Sequence, residues 1–217
     1  MQVGQTLTLS PEISVRVTGM GASRSLKAAE ALHQQGARAL LSWGCAAALA
    51  PKVGAGTLIL PKRFLVPDSG GYKVCSADPH WQAELHKILA GLPLLVSDLV
   101  GSDRVLATPT QKQALFKATG AAAADMESAF LACWSAKRQI PFAALRAISD
   151  TASTAIPSAI LASALQGSIS PWRLFGQLLF HPQAIPALFT LGLQFRTALR
   201  LLTQAAKLLL PLRFGWP

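Results

Sequence analysis

From Ile13 onward, short apolar runs alternate with segments whose apolar residues recur every three or four positions, with turn residues between them. "ISVRVTGM" reads as a strand, and "SRSLKAAEALHQQG" as a helix opening at Ser23 or Ser25 and stopping at Gly36. "ARALLSWG" and "TLILPKRFLV" read as strands, the second with a bend or a sheet edge at Pro61. Asp78 before Pro79 is an N-cap and first-turn pair for a helix ending near Gly91. Then come a strand in "LPLLVSDLV", a helix in "TPTQKQALFKATG", a short strand in "AAAAD", a helix in "ESAFLACWSAKRQ" and a strand in "IPFAALRAISD". This alternation predicts an α/β fold, three-layer α/β/α, with a central mostly parallel but mixed sheet.

After Asp150 the pattern is helical throughout, so residues 1–155 are expected to form the α/β domain and 156–217 a helical C-terminal extension. Arg196, Arg200, Thr203 and Lys207 recur at helical steps as a polar stripe. Leu188, Leu191, Phe195, Leu199, Leu202, Ala206 and Leu209 supply much of the remaining surface of that helix. The stripe suits either a helix packed on the domain with its cations in water, or contact with a membrane surface.

Composition and charge narrow the partners. The chain is 51% hydrophobic and 14% charged, which excludes a disordered polymer. Its net charge of +10 is unevenly spread, because no Asp or Glu occurs from Thr151 to Pro217 while Arg173, Arg196, Arg200, Lys207 and Arg213 do. No nucleic-acid motif accompanies that charge, and the Leu and Phe around it fit an anionic lipid surface better. No apolar run reaches spanning length, and the first residues carry no signal-peptide pattern. Cys45, Cys75 and Cys133 are odd in number and widely spaced, the pattern of reduced thiols in a cytoplasmic protein, peripheral on the membrane at most. His33, His80, His86 and His181 have no ligand spacing, so neither a metal nor an organic cofactor is expected.

The candidate chemistry lies at predicted strand ends, where α/β folds collect their sites. Asp125 and Glu127 follow "AAAAD", and Ser149 with Asp150 ends "LRAISD". Gly19 and Gly21 stand in a strand-to-helix turn that could cradle an anion or simply serve the turn. Asp125 reads as a strand-end support or a helix cap.

Four stretches, "VTGMGAS", "LLSWGCAAAL", "AADMESA" and "LRAISD", together resemble the nucleoside phosphorylase and nucleosidase superfamily over about residues 13 to 152. The resemblance implies an enzyme that breaks the N-glycosidic bond of a purine nucleoside. Met126 and Glu127 would contact the ribose, the carboxylate accepting from its hydroxyls. Asp150 would protonate N7 of the leaving purine, and Ser149 would orient it. Gly44 and Cys45 match the pocket loop, with Cys45 where relatives commonly place a phosphate-binding Ser, and Val105 lies where they often place an aromatic over the base. Inorganic phosphate is thus a possible co-substrate, with water as its rival. Only twelve residues precede the strand leading to "VTGMG", and no catalytic role is carried onto Glu12.

With its extension "PWRLFGQLLFHPQAIPALFTLGLQFRTALRLL", the chain is most similar to hopanoid-associated phosphorylases. That implies removal of adenine from adenosylhopane, with Trp172, Phe175, Phe180 or Phe189 lining a lipid path. The alternatives are a methylthioadenosine/S-adenosylhomocysteine-type nucleosidase, or a catalytically impaired homologue that binds a nucleoside or lipid. A homo-oligomer is expected by analogy alone.

Overall fold

A computed structural model describes residues 3–157 and 185–210. Trp172, Phe175, Phe180, Arg173, Arg213 and His181 lie outside the described residues. The elements run β1 (Thr6–Ser10), β2 (Ile13–Arg16), α1 (Ala22–Gln34), β3 (Leu40–Ala48), β4 (Leu58–Asp68), β5 (Gly71–Ser76) and α2 (Pro79–Leu89). They continue with β6 (Leu94–Gly101), α3 (Pro109–Thr119), β7 (Ala123–Asp125), α4 (Ser128–Lys137), β8 (Phe142–Asp150) and a long α5 (Ile185–Leu209).

The helix boundaries follow local chemistry. Asp78 accepts from the Trp81 amide at 2.9 Å ahead of Pro79, and Thr108 with Gln111 forms a capping box at α3. Gly120, at φ 68°, ends α3 in the left-handed conformation that glycine adopts without strain. At α1 the expected serine cap is absent, and Gly21 is the N-cap.

The main sheet has the order β5-β4-β6-β7-β3-β8. Antiparallel pairing of Leu58 and Ile59 with Ala147 and Arg146 also joins β4 to β8, closing β4, β6, β7, β3 and β8 into a ring. The sheet is mixed: β3–β8, β4–β6 and β6–β7 are parallel, whereas β3–β7, β4–β5 and β4–β8 are antiparallel. Pro61 is therefore not at an edge. It is fully buried beside a register shift in the β4–β6 ladder, where its missing N–H is tolerated. The β1–β2 hairpin forms a separate two-stranded sheet.

Strand alternation distributes β8 between two layers. Ala143, Leu145 and Ala147 pack with Trp81, Leu85 and Leu89 of α2 and with Ala198, Leu202, Ala205 and Leu209 of α5. Phe142 and Ala144 face the opposite layer, with Ala29 of α1 and Ala129, Leu131 and Ala132 of α4. β8 is buried on both faces, as its nearly unbroken apolar run requires. On α5, of the residues off the polar stripe, Leu202 and Leu209 are buried whereas Phe195 and Leu199 are exposed, and the alanines Ala198 and Ala205 also face the sheet. Small side chains let the helix lie close to β8.

Cys75 of β5 and Cys133 of α4 form a disulfide, their Cα atoms 5.4 Å apart, while Cys45 is free. This overturns the reading of unpaired, reduced cysteines. The two are 58 residues apart in sequence and meet only because β5 folds back along β4 over α4, so cysteine usage no longer argues for a reducing compartment.

Candidate active site

β7 and β8 flank the carboxyl half of β3 and reach it from opposite directions, β8 running parallel to β3 and β7 antiparallel. Ala47 of β3 pairs with Ala124 of β7 on one side and with Asp150 of β8 on the other. The ends of β7 and β8 are thus two strand spacings apart, roughly 10 Å. Beyond β7, Gly101 of β6 pairs with Asp125.

Asp125 is structural in its contacts. Its side chain accepts from the Ser128 amide at 3.0 Å, capping the start of α4, and pairs with Arg146 Nε at 2.7 Å. Arg146 is the charge in the buried strand "FAALRAISD", turned toward α4 by alternation, and it also donates to the hydroxyls of Ser128 and Ser42. Gly44, its register partner on β3, leaves room for the guanidinium, which lies where a Cβ would stand. This cluster of Ser42, Asp125, Ser128 and Arg146 was not foreseen as a unit. A lone arginine in an otherwise apolar strand was the signal that could have found it.

Glu127 follows at the mouth of α4. Because α1 and α4 lie side by side, with Arg138 bonded to Glu30 at 2.9 Å and His33 edge-on to Trp134, their first residues meet. The Gly21 amide donates to Glu127 Oε1 at 2.6 Å, and Arg146 stands 3.8 Å from Oε2. Burial raises the Glu127 carboxyl above its ordinary value, and neighbouring Asp125 raises it further; Arg146 and the backbone N–H groups of Gly21 and Met126 work against them. Gly19 and Gly21 both have positive φ, 70° and 102°, so the turn needs glycine, and Gly21 also serves the carboxylate. Met126 is half-buried beside it.

At the other end, Ser149 Oγ donates to Asp150 Oδ1 at 2.9 Å. Asp150 Oδ2 is bonded at 2.5 Å to Nζ of Lys112, a side chain with no solvent exposure. The same ammonium donates to the carbonyls of Thr151 at 2.8 Å and Thr154 at 2.9 Å. Lys112 gave no signal in the sequence, since it sits among polar residues in α3 and its partners are distant in sequence. Cys45 is half-buried on β3, its thiol pushed up by burial, with Arg146 opposing and Asp150 adding to the shift. Val105 is half-buried in the loop after β6, whose Ala107 carbonyl accepts from Ile156 and so ties that loop to the segment after β8. Among the described residues no group of His, Cys, Asp and Glu could hold a metal ion.

Residues 5–164 match the phosphorylase superfamily. The chain belongs to that family. Its fold is shared with futalosine hydrolase of Helicobacter pylori, at 18% identity and TM-score 0.61, over 70% of this chain and 76% of that one. A putative methylthioadenosine nucleosidase from Weissella paramesenteroides is 22% identical with TM-score 0.60, covering 75% of this chain and 77% of the other. A 5′-methylthioadenosine/S-adenosylhomocysteine nucleosidase from Helicobacter pylori, bound to butyl-thio-DADMe-Immucillin-A, is 16% identical with TM-score 0.63 over 94% and 88% of the two chains. No curated protein matches the chain significantly. Membership in the superfamily makes the chain an enzyme of the phosphorylase and nucleosidase class.

Proposed function

We propose that this phosphorylase-superfamily chain cleaves the N-glycosidic bond of a purine nucleoside, and that adenine leaves from an adenosyl lipid of the adenosylhopane kind. One observation carries the first part: two half-buried or buried carboxyl groups, Glu127 just beyond β7 and Asp150 at the end of β8, stand on the two strands that flank β3. A nucleoside lying across β3 meets Glu127 with its ribose hydroxyls and Asp150 with N7 of its base. As the C1′–N9 bond breaks, its electron pair passes to the purine and N7 takes a proton from the Asp150 side; the ribosyl carbon, with oxocarbenium character, is captured by water or phosphate. Cys45, which lies in strand β3 rather than in the expected pocket loop, is a weak donor to an anion, which favours water. The chemistry calls on no metal or organic cofactor.

The lipid part rests on α5. Phe189 is 69% exposed, and Leu193, Phe195 and Leu199 are also exposed, beside a stripe of Arg196, Arg200 and Lys207. A face of aromatic and aliphatic groups with interspersed cations suits the interface of an anionic membrane, where a hydrocarbon-bearing nucleoside resides. Relatives acting on methylthioadenosine favour a second reading, a soluble adenosine derivative as substrate. Incubation of the full chain with adenosylhopane in detergent and, separately, with 5′-methylthioadenosine, each with and without phosphate, tests the choice. Faster adenine release from the lipid supports the first reading, and release from methylthioadenosine alone replaces it with the second.

A further inference from the structure

Both oxygens of the carboxyl assigned as the acid already accept a hydrogen bond, Oδ1 from Ser149 and Oδ2 from the Lys112 ammonium at 2.5 Å, and each keeps a second lone pair. Lys112 is wholly buried, and its other two bonds go to backbone carbonyls, which accept but cannot exchange a charge. The ammonium also ties α3 to the segment after β8 through these carbonyls. Burying a Lys–Asp pair brings little or no net stability over an apolar pair of similar volume, so its presence beside the reacting end of the site calls for another reason.

We infer that Lys112 and Asp150 work as one proton-sharing unit, in which Lys112 stores the proton that Asp150 passes to the leaving purine. This rests on the glycosidic-cleavage reading above. Ion-paired as –NH3+ and –COO−, Lys112 and Asp150 hold one transferable proton between them. As C1′–N9 breaks and the purine gains electron density, Lys112 Nζ passes a proton to Asp150, and Asp150 passes a proton on to N7. Adenine leaves neutral, and the pair is left as neutral amine and carboxylate. When the incoming water or hydrogen phosphate adds to C1′, it loses the proton that restores the ammonium, so the cycle closes without another reactant.

Among the described residues, the groups that face this pair offer no competing source. From β3, the Cys45 thiol feels Asp150, but burial keeps it from ionising readily. From β8 itself, Arg146 is turned away to Asp125. From α5, Gln194 reaches the same segment by accepting from Thr154 Oγ1 at 3.2 Å, and it carries no charge. Lys112 is therefore a positioning residue that acts through Asp150.

Two substitutions separate proton storage from structural support. Lys112→Met removes the stored proton, so the unit can act only when the carboxyl itself is protonated. Lys112→Arg keeps a cation beside Asp150, but a guanidinium does not give up its proton. Adenine release is followed from about pH 5 to about pH 9 for both variants and the wild type, using whichever of 5′-methylthioadenosine and adenosylhopane the wild type cleaves, with melting curves beside. At neutral pH both variants should lose about 100-fold in kcat with KM little changed. Lys112→Met should regain activity as the pH falls toward about 5, whereas Lys112→Arg should not. Lys112→Arg at wild-type kcat, or a Lys112→Met loss that is the same at every pH, overturns the inference. If melting shows one variant unfolded, the other decides alone. A wild type that releases no adenine from either nucleoside instead overturns the glycosidic-cleavage reading, and the inference with it.

Discussion

Gly44 on β3 and Arg146 on β8 are register partners in a parallel pair, and the guanidinium of Arg146 occupies the place where a Gly44 side chain would begin. This strand glycine thus admits the arginine that holds Asp125 and stands near Glu127. Backbone flexibility is not its purpose, because Gly44 has no positive φ.

Gly44→Ala should therefore destabilise the chain by about 1–3 kcal/mol through overpacking. Arg146→Met, which strands the buried Asp125, should cost more, about 3–5 kcal/mol. Urea unfolding of the two variants checks the order. A Gly44→Ala chain as stable as wild type would mean that Arg146 moves aside freely.

Glu127 sets function against stability. Its carboxyl is raised above the ordinary value of 4.5, chiefly by burial, so the folded chain binds this proton more tightly than the unfolded one. Its contribution to stability is full below the unfolded value and is lost as the pH rises through the folded value. Glu127→Gln removes that loss and can still accept from Gly21. Its Tm at about pH 7 should equal or exceed that of wild type, while kcat/KM falls about 100-fold for want of a carboxylate at the ribose. A Tm deficit that grows between about pH 5 and about pH 7 would contradict this.

The disulfide between Cys75 and Cys133 joins β5 to α4 on the layer opposite α5. Replacing both cysteines by Ala should lower stability by about 2–4 kcal/mol and leave adenine release at moderate temperature near wild type, since neither sulfur is at the strand ends that form the site. Melting with and without reductant, beside the assay, measures both effects.

Arg196, Arg200 and Lys207 form the cationic part of the exposed α5 face. Changing all three to Gln should weaken binding to vesicles of anionic lipid by about 1 kcal/mol per charge removed, with no change on zwitterionic vesicles. Equal binding of variant and wild type in co-sedimentation would remove the membrane role of this face.

Much of the fold was legible where local chemistry decides it. Asp78–Pro79, the Gly after α3 and the short run "AAAAD" marked their elements because caps, φ restrictions and apolar runs are properties of neighbouring residues. β5 was missed, since "GYKVCS" is mostly exposed and becomes a strand only by pairing along β4. The antiparallel pairings and the ring closure depend on which distant strands meet, which periodicity does not encode. Glu127, Ser149 and Asp150 of the proposed site were named from their motifs. Lys112 could not be, because its partners, Asp150 at the end of β8 and the Thr151 and Thr154 carbonyls after it, are distant in sequence and meet α3 only in the fold.

The most direct test of the central claim is chromatographic measurement of free base after incubating wild-type and Asp150→Asn chains with adenosylhopane and with 5′-methylthioadenosine. The account predicts adenine from at least one nucleoside with wild type, and a rate lower by about 100-fold or more with Asp150→Asn. No adenine from wild type, or equal release from both chains, would contradict it.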